Sequence, residues 1–248
     1  MSAVVVIPTR WGSTRFPGKA ITDIAGKPML VHVIDQVRKA QQIERIIVAT
    51  DDERIAQVAT AHQTDVVMTR SDHPSGTDRI AEALEDVQAD HIINVQGDEP
   101  LINPALIDQL AEALHDARWD MVTAATPIHN QADVDDPSVV KTVFDQSQAA
   151  LYFSRAPIPH QREAHETDSL EGIYWQHIGL YGYQRTFLDK MVKTPPCALE
   201  QLEKLEQLRA LHLGGRIKII PTDELSIGVD TPEDVVKAIH LLEQRREP

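Results

Sequence analysis

The chain has 248 residues, which at about 150 residues per domain means one large domain or one domain carrying a substantial insertion. Hydrophobic residues make up 42% and charged residues 25%, a mix that excludes collagenous, low-complexity and disordered classes. With 38 acids against 24 bases the net charge is -14, which argues against nucleic-acid binding, so any anionic ligand needs a local basic cluster. The single cysteine, Cys197, excludes an intrachain disulfide, and the chain starts on a strand-like run instead of a secretory leader, so the expected location is the reducing cytoplasm. Uncharged apolar runs have the length of buried strands, so no membrane insertion is expected.

In chain order, Val4 to Ile7 reads as a strand and Pro28 to Ala40 as a helix with Leu30, Val33, Ile34 and Val37 on one face. A strand from Ile46 to Thr50, a helix from Asp52 to His62 and a short strand from Val66 to Met68 follow. Next come a helix from Thr77 carrying Ile80, Leu84 and Val87, a strand from Ile92 to Gln96, and a helix capped by Asn103 with Pro104 at its first position. Strands apolar on both faces predict a mostly parallel sheet covered by helices on each side. After a strand from Met121 to Thr126, Val139 to Phe144 and Ala149 to Phe153 flank a polar turn and read as an antiparallel hairpin. Residues 161–171 form a polar loop, Ile173 to Tyr183 a strand, and Leu199 to Leu213 a helix with leucines at three-residue spacing. A strand from Ile217 to Ile220 and a helix from Pro232, capped by Thr231, close the pattern. The expected fold is a single α/β domain over 1–248, with an inserted α+β subregion at 130–211.

Three places carry chemistry. The loop after the first strand, Pro8 to Lys19, brings Arg10, Arg15 and Lys19 together with Gly12 and Gly18 where a parallel sheet binds ligands. Glycines admit backbone N–H groups to phosphate oxygens and the cations neutralise them, so this loop reads as a phosphate site. Neither a dinucleotide fingerprint nor a P-loop motif is present. Asp98, at the end of the strand in Asn94-Val95-Gln96-Gly97-Asp98-Glu99-Pro100, is either a Mg²⁺ ligand or a turn acid. Asp230 precedes the last helix; it either contributes N-terminal electrostatics or serves as a second metal ligand.

Taken in order, Ile7-Pro8-Thr9-Arg10 through Pro17-Gly18-Lys19, Asn94 to Pro100, Tyr152-Phe153-Ser154-Arg155, His177 to Tyr183, Leu205-Glu206-Gln207-Leu208-Arg209 and Val229 to Asp234 resemble the 3-deoxy-manno-octulosonate cytidylyltransferase (CMP-Kdo synthetase) family. The resemblance is nearly full length and implies a nucleotide-diphospho-sugar transferase-like fold. The implied reaction converts CTP and Kdo to CMP-Kdo and pyrophosphate for lipopolysaccharide synthesis. It also implies that Arg10, Ser13, Arg15 and Lys19 hold the triphosphate, with Arg10, Lys19 and Asp98 catalytic, and that Arg70, Ser75 and Gln96 face the cytosine. By the same resemblance Asp98 and Asp230 would bind Mg²⁺, and Arg155, His177, Tyr183, Glu206 and Gln207 would surround the sugar acid, Arg155 meeting its carboxylate. A homodimer through the inserted subregion is implied as well. Thr9 and Trp11-Gly12 depart from the common Ala and Tyr-Ala of that loop, and Pro196-Cys197-Ala198 departs before the sugar-side helix. Transfer to 8-amino-Kdo or a sialic acid remains an alternative. A non-catalytic nucleotide-sugar sensor is a further one, disfavoured by Lys19, Asp98 and Asp230 occurring together.

Overall fold

The computed structural model describes residues 3–12, 16–163, 170, 172–223 and 228–244. The chain divides into two compact units, residues 1–112 with 226–248, and residues 113–225. The expected subregion at 130–211 falls inside the second unit.

In the first unit, β1 (Ala3–Thr9) pairs in parallel with β4 (Ile43–Thr50) on one side and β6 (His91–Asn94) on the other. β4 pairs in parallel with β5 (Asp65–Met68), giving the order β6-β1-β4-β5. Val4, Val5, Val6 and Ile7 are all buried although successive side chains point to opposite faces. Both faces are therefore covered, as a parallel sheet requires. Between β1 and β4 lie a two-stranded ribbon, β2 (Asp23–Ile24) and β3 (Lys27–Pro28), and helix α1 (Met29–Val37), which buries Leu30, Val33, Ile34 and Val37 as the periodicity predicts. Helix α2 (Glu53–Ala61) is capped by Asp52, whose carboxylate accepts from the Arg54 N–H. Helix α3 (Gly76–Ala83) is capped by Ser75 in the same manner, and α4 spans Pro104–Ala113. The last helix, α9 (Pro232–Gln244), packs Ala238 and Leu242 on Ile24, Met29 and Val229. Thr231 caps it as expected, its Oγ1 accepting from the Asp234 N–H.

In the second unit β7 (Met121–Pro127) pairs in parallel with β11 (Ile217–Pro221) and antiparallel with β10 (Trp175–Gln184). After the short helix α5 (Gln131–Asp135), the expected hairpin forms from β8 (Lys141–Phe144) and β9 (Ala150–Ser154). Its turn is held by Asp145 Oδ1, which accepts from the N–H groups of Ser147 and Ala149. Because β7 and β11 pair within this unit, its bounds are wider than 130–211. Helix α6 (Arg185–Val192) was not expected from the strand-like run before it. The single helix expected from Leu199 to Leu213 is instead two, α7 (Ala198–Glu203) and α8 (Gln207–His212). Lys204 breaks them by taking a left-handed conformation at φ 54° and ψ 45°. The break separates the leucines: Leu205 and Leu208 are buried while Leu202 is 80% exposed. Of the polar loop, residues 164–169 and 171 lie outside the described residues.

Candidate active site

Strand β1 delivers Pro8, Thr9 and Arg10, and β6 delivers Gln96, Gly97 and Asp98, to one wall each of an open cavity of about 300 Å³ in the first unit. Lys19, Ala20, Asp230 and the segment from His73 to Gly76 complete the lining with Arg79. The site lies at the carboxyl ends of the strands, where side chains of adjacent parallel strands diverge into loops. Gly97 has to be glycine here, because an added Cβ would fall closer than 3.0 Å to Thr9 Cγ2.

The cationic loop is tied down at both ends. Gly18 takes φ 71°, open to glycine, and its N–H donates to the Trp11 carbonyl at 3.1 Å. A Cβ on Gly18 would lie 2.9 Å from the Trp11 ring, so the indole lies directly on this residue. The Trp11 N–H donates to Asp51 Oδ1 at 3.3 Å, and the Arg54 guanidinium carbon stacks 3.2 Å from the indole centroid. Ser13 and Arg15 lie outside the described residues.

A short helical turn at Lys19–Ile21 aims the Lys19 ammonium at two carboxylates. It donates to Asp98 Oδ2, to Asp230 Oδ1 at 2.9 Å and to the Val229 carbonyl at 3.4 Å. The two acidic turns are themselves joined by a hydrogen bond from the Val229 N–H to the Asp98 carbonyl at 2.9 Å. Burial works against the Lys19 charge, but the carboxylates of Asp98 and Asp230 outweigh it and hold the ammonium above its ordinary pKa. The donor set fits a small hard divalent ion. Two carboxylates converge where they already hold one cation, and such ions take one or two carboxylates with substrate phosphates making up the rest. Among the described residues no group of three or more His, Cys, Asp or Glu forms a metal site by itself.

The opposite wall is built on α3. Ser75 Oγ accepts from the Asp78 N–H and donates to its carboxylate at 2.7 Å, while Gln96 Nε2 donates to Asn94 Oδ1 at 3.1 Å. Beneath them Arg79, only 3% exposed, pairs with Asp51 at 3.0 Å and donates to Thr69 Oγ1. Asp51 therefore links the cationic loop to α3. His73 lines the cavity and bonds Glu82. Arg70 is 69% exposed, faces Asp72 and Glu82 at 3.7 Å, and is not among the cavity-lining residues. Sequence reasoning missed Asp51, His73 and Arg79. Asp51 had a readable signal, since it is an acid ending an apolar strand just as Asp98 is.

The expected sugar-side residues all lie in the second unit. Arg155 Nε donates to the Glu203 carbonyl at 2.7 Å and Nη1 to the Pro137 carbonyl at 2.9 Å, so its guanidinium is fixed by two backbone oxygens. The Glu203 carboxylate in turn accepts from Ser154 Oγ and the Arg155 N–H. Thr123 Oγ1 lies 3.0 Å from His177 Nε2, and 3.1 and 2.8 Å from the carbonyls of Ile178 and Leu180. With the threonine proton directed to a carbonyl, Nε2–H is the donor to Thr123. Burial drives the His177 pKa down to about 3, so the ring is neutral at physiological pH. It packs edge-on to Phe153 and beside Tyr181, which neighbours the buried Tyr183. Glu206 pairs with Arg209 at 2.7 Å, and Gln207 is buried with its Nε2 unpartnered among the described residues. Cys197 explains one departure: it is the N-cap of α7, where its N–H donates to Glu200 at 3.3 Å.

A family model described as Cytidylyltransferase matches residues 4–219. A 3-deoxy-manno-octulosonate cytidylyltransferase of Syntrophotalea carbinolica is 48% identical over 243 residues, covering 96% of this chain and 97% of that protein. The enzyme of the same name from Geobacter sulfurreducens is 46% identical, with coverages of 98% and 100%. Among solved structures, a CMP:2-keto-3-deoxy-manno-octonic acid synthetase complexed with CTP matches with a TM-score of 0.92 at 40% identity, over 99% of this chain and 100% of that one. A cytidylyltransferase from Leptospira borgpetersenii, 15% identical with a TM-score of 0.63 over 99% and 95% of the two chains, shares the fold.

Proposed function

The chain belongs to the cytidylyltransferase family, and from that premise we propose that it transfers CMP from CTP to Kdo, releasing pyrophosphate and supplying the activated sugar for lipopolysaccharide. The observation that carries this reading is the Lys19, Asp98 and Asp230 cluster in a cavity rimmed by Arg10. Relatives that align along nearly the whole chain and bear that activity in their names support it.

In this reading the C2 hydroxyl of the sugar acid attacks the α-phosphorus in line with the departing pyrophosphate. Charge grows on phosphoryl oxygens, so the protein's task is positioning and neutralisation and no covalent intermediate is needed. Arg10 and Lys19 neutralise the triphosphate, with Ser13 and Arg15 as further contacts. Ser75 and Gln96 read the cytosine, while Arg70, outside the cavity lining, would have to turn from Asp72 and Glu82 to reach it. Asp98 and Asp230 hold Mg²⁺, which when bound neutralises phosphate oxygens and stabilises the leaving group. Arg155, its fork oriented by the carbonyls of Glu203 and Pro137, meets the sugar carboxylate. Neutral His177 serves as a hydrogen-bonding wall instead of a cation, with Tyr183, Glu206 and Gln207 as companions; the unpartnered Gln207 amide supports a polar ligand there.

We place the reaction in the cytoplasm, the compartment that supplies CTP. No described helix is long and apolar enough to cross a membrane. We further propose a homodimer through the second unit, supported by the exposure of Leu151 on β9 and Leu202 on α7. The activity is tested with purified protein, CTP, Mg²⁺ and a panel of Kdo, 8-amino-Kdo and sialic acid, with products identified by mass spectrometry. CMP-Kdo and pyrophosphate are expected. Absence of any CMP-sugar, or preference for a sialic acid, refutes the assignment.

A further inference from the structure

An ammonium group has three N–H donors, and the three acceptors around Lys19 Nζ are Asp98 Oδ2, Asp230 Oδ1 and the Val229 carbonyl. Lys19 gains a phosphate oxygen only by giving up one of these. The Val229 carbonyl, at 3.4 Å, is the weakest of the three, so a triphosphate that claims more than one ammonium proton draws the lysine away from the carboxylates, the oxygens that suit a divalent ion. Resting on the CMP-transfer reading above, we propose that Lys19 is a built-in competitor for the divalent cation at the Asp98 and Asp230 pair. It exchanges onto the triphosphate as the metal enters, so that metal and nucleotide bind cooperatively.

The physical basis is charge balance. Two carboxylates that share one ammonium are satisfied, and a metal must displace that cation before it binds. Once a nucleotide takes the ammonium, the metal no longer competes with Lys19 for the two carboxylates. Linkage then requires the converse: metal at the carboxylates frees Lys19 for the triphosphate. Metal entering before nucleotide is thereby disfavoured.

The test needs no turnover. Mn²⁺ alone is titrated into the full chain and followed by electron paramagnetic resonance, for the wild type, Lys19→Met and Lys19→Arg. Lys19→Met, which keeps the stem and removes the charge, should bind Mn²⁺ tighter by about fivefold or more, the lower end of ordinary coupling between sites. Lys19→Arg, which keeps the charge, should stay close to wild type, and adding Asp230→Asn to Lys19→Met should abolish the gain. In a second arm, CTP binding is measured calorimetrically in EDTA. Asp98→Asn should tighten metal-free CTP more in the Lys19 background than in the Lys19→Met background. The exchange is overturned if Lys19→Met leaves Mn²⁺ affinity equal or weaker, if Lys19→Arg tightens it as much, if no variant binds Mn²⁺, or if the two CTP gains are equal. CMP-Kdo formation by a protein giving any of these results would overturn the exchange alone. The expected pattern in a protein that makes no CMP-sugar would instead refute the activity.

Discussion

Gly97 lies in the turn that presents Gln96 and Asp98 to the cavity, and its φ is outside the left-handed region, so an alanine there faces no backbone penalty. Its obstacle is space. The added Cβ would stand closer than 3.0 Å to Thr9 Cγ2 and 3.4 Å from the Pro8 carbonyl, both on β1. Overpacking of one methyl against a buried side chain costs about 1–3 kcal/mol, and for a chain of this size each kcal/mol lowers Tm by about 2–4 °C. Gly97→Ala should therefore melt roughly 2–12 °C lower. The turn relieves the clash by moving away from β1, and displacement of Asp98 by about an ångström should lower kcat by on the order of a hundredfold. Thr9→Ser removes the clashing methyl, so the double variant should regain most of both losses. Calorimetry and pyrophosphate release measure the two effects. A Gly97→Ala protein with wild-type Tm and kcat, or a loss that Thr9→Ser fails to relieve, would refute the reasoning.

Asp98→Asn and Asp230→Asn, nearly isosteric but uncharged, should each collapse turnover with circular dichroism unchanged; near wild-type activity removes that residue from the site. A pocket in which Ser75 and Gln96 read the cytosine amino group should reject UTP, and comparable kcat/KM values for CTP and UTP would exclude that role. Arg155→Lys loses the planar fork held by the Glu203 and Pro137 carbonyls and should raise KM for the sugar far more than for CTP; the opposite split would move Arg155 to the nucleotide side. His177 titrates at about 3 when folded against 6.5 unfolded, so below pH 6.5 the unfolded chain takes up a proton that the folded chain refuses. Its contribution to stability should fall as pH drops from 6.5 toward 3, by ~1.4 kcal/mol per pH unit. His177→Gln should flatten that part of the curve in denaturant titrations, and an unaltered slope would count against it.

Features governed by local sequence were legible without coordinates. The apolar run of β1 demanded a strand buried on both faces, and the glycines and cations after it marked a ligand loop. The caps Asn103 and Thr231 placed the starts of two helices, and the polar turn at 145–148 placed the hairpin. The split between α7 and α8 was not legible, because the leucine spacing continues through Lys204 and only its left-handed backbone ends the helix. Nor could the chain by itself show that Lys19 bonds acids 79 and 211 residues away, or that Arg79 reaches Asp51 and Arg155 is already engaged by two carbonyls. Local patterns record the conformations a segment prefers, whereas the partner of a side chain depends on which strand ends are neighbours. In the first unit that neighbourhood is the order β6-β1-β4-β5, set by packing both sheet faces. It brings the ends of β1 and β6 together and so makes one charge cluster of residues that the sequence leaves far apart.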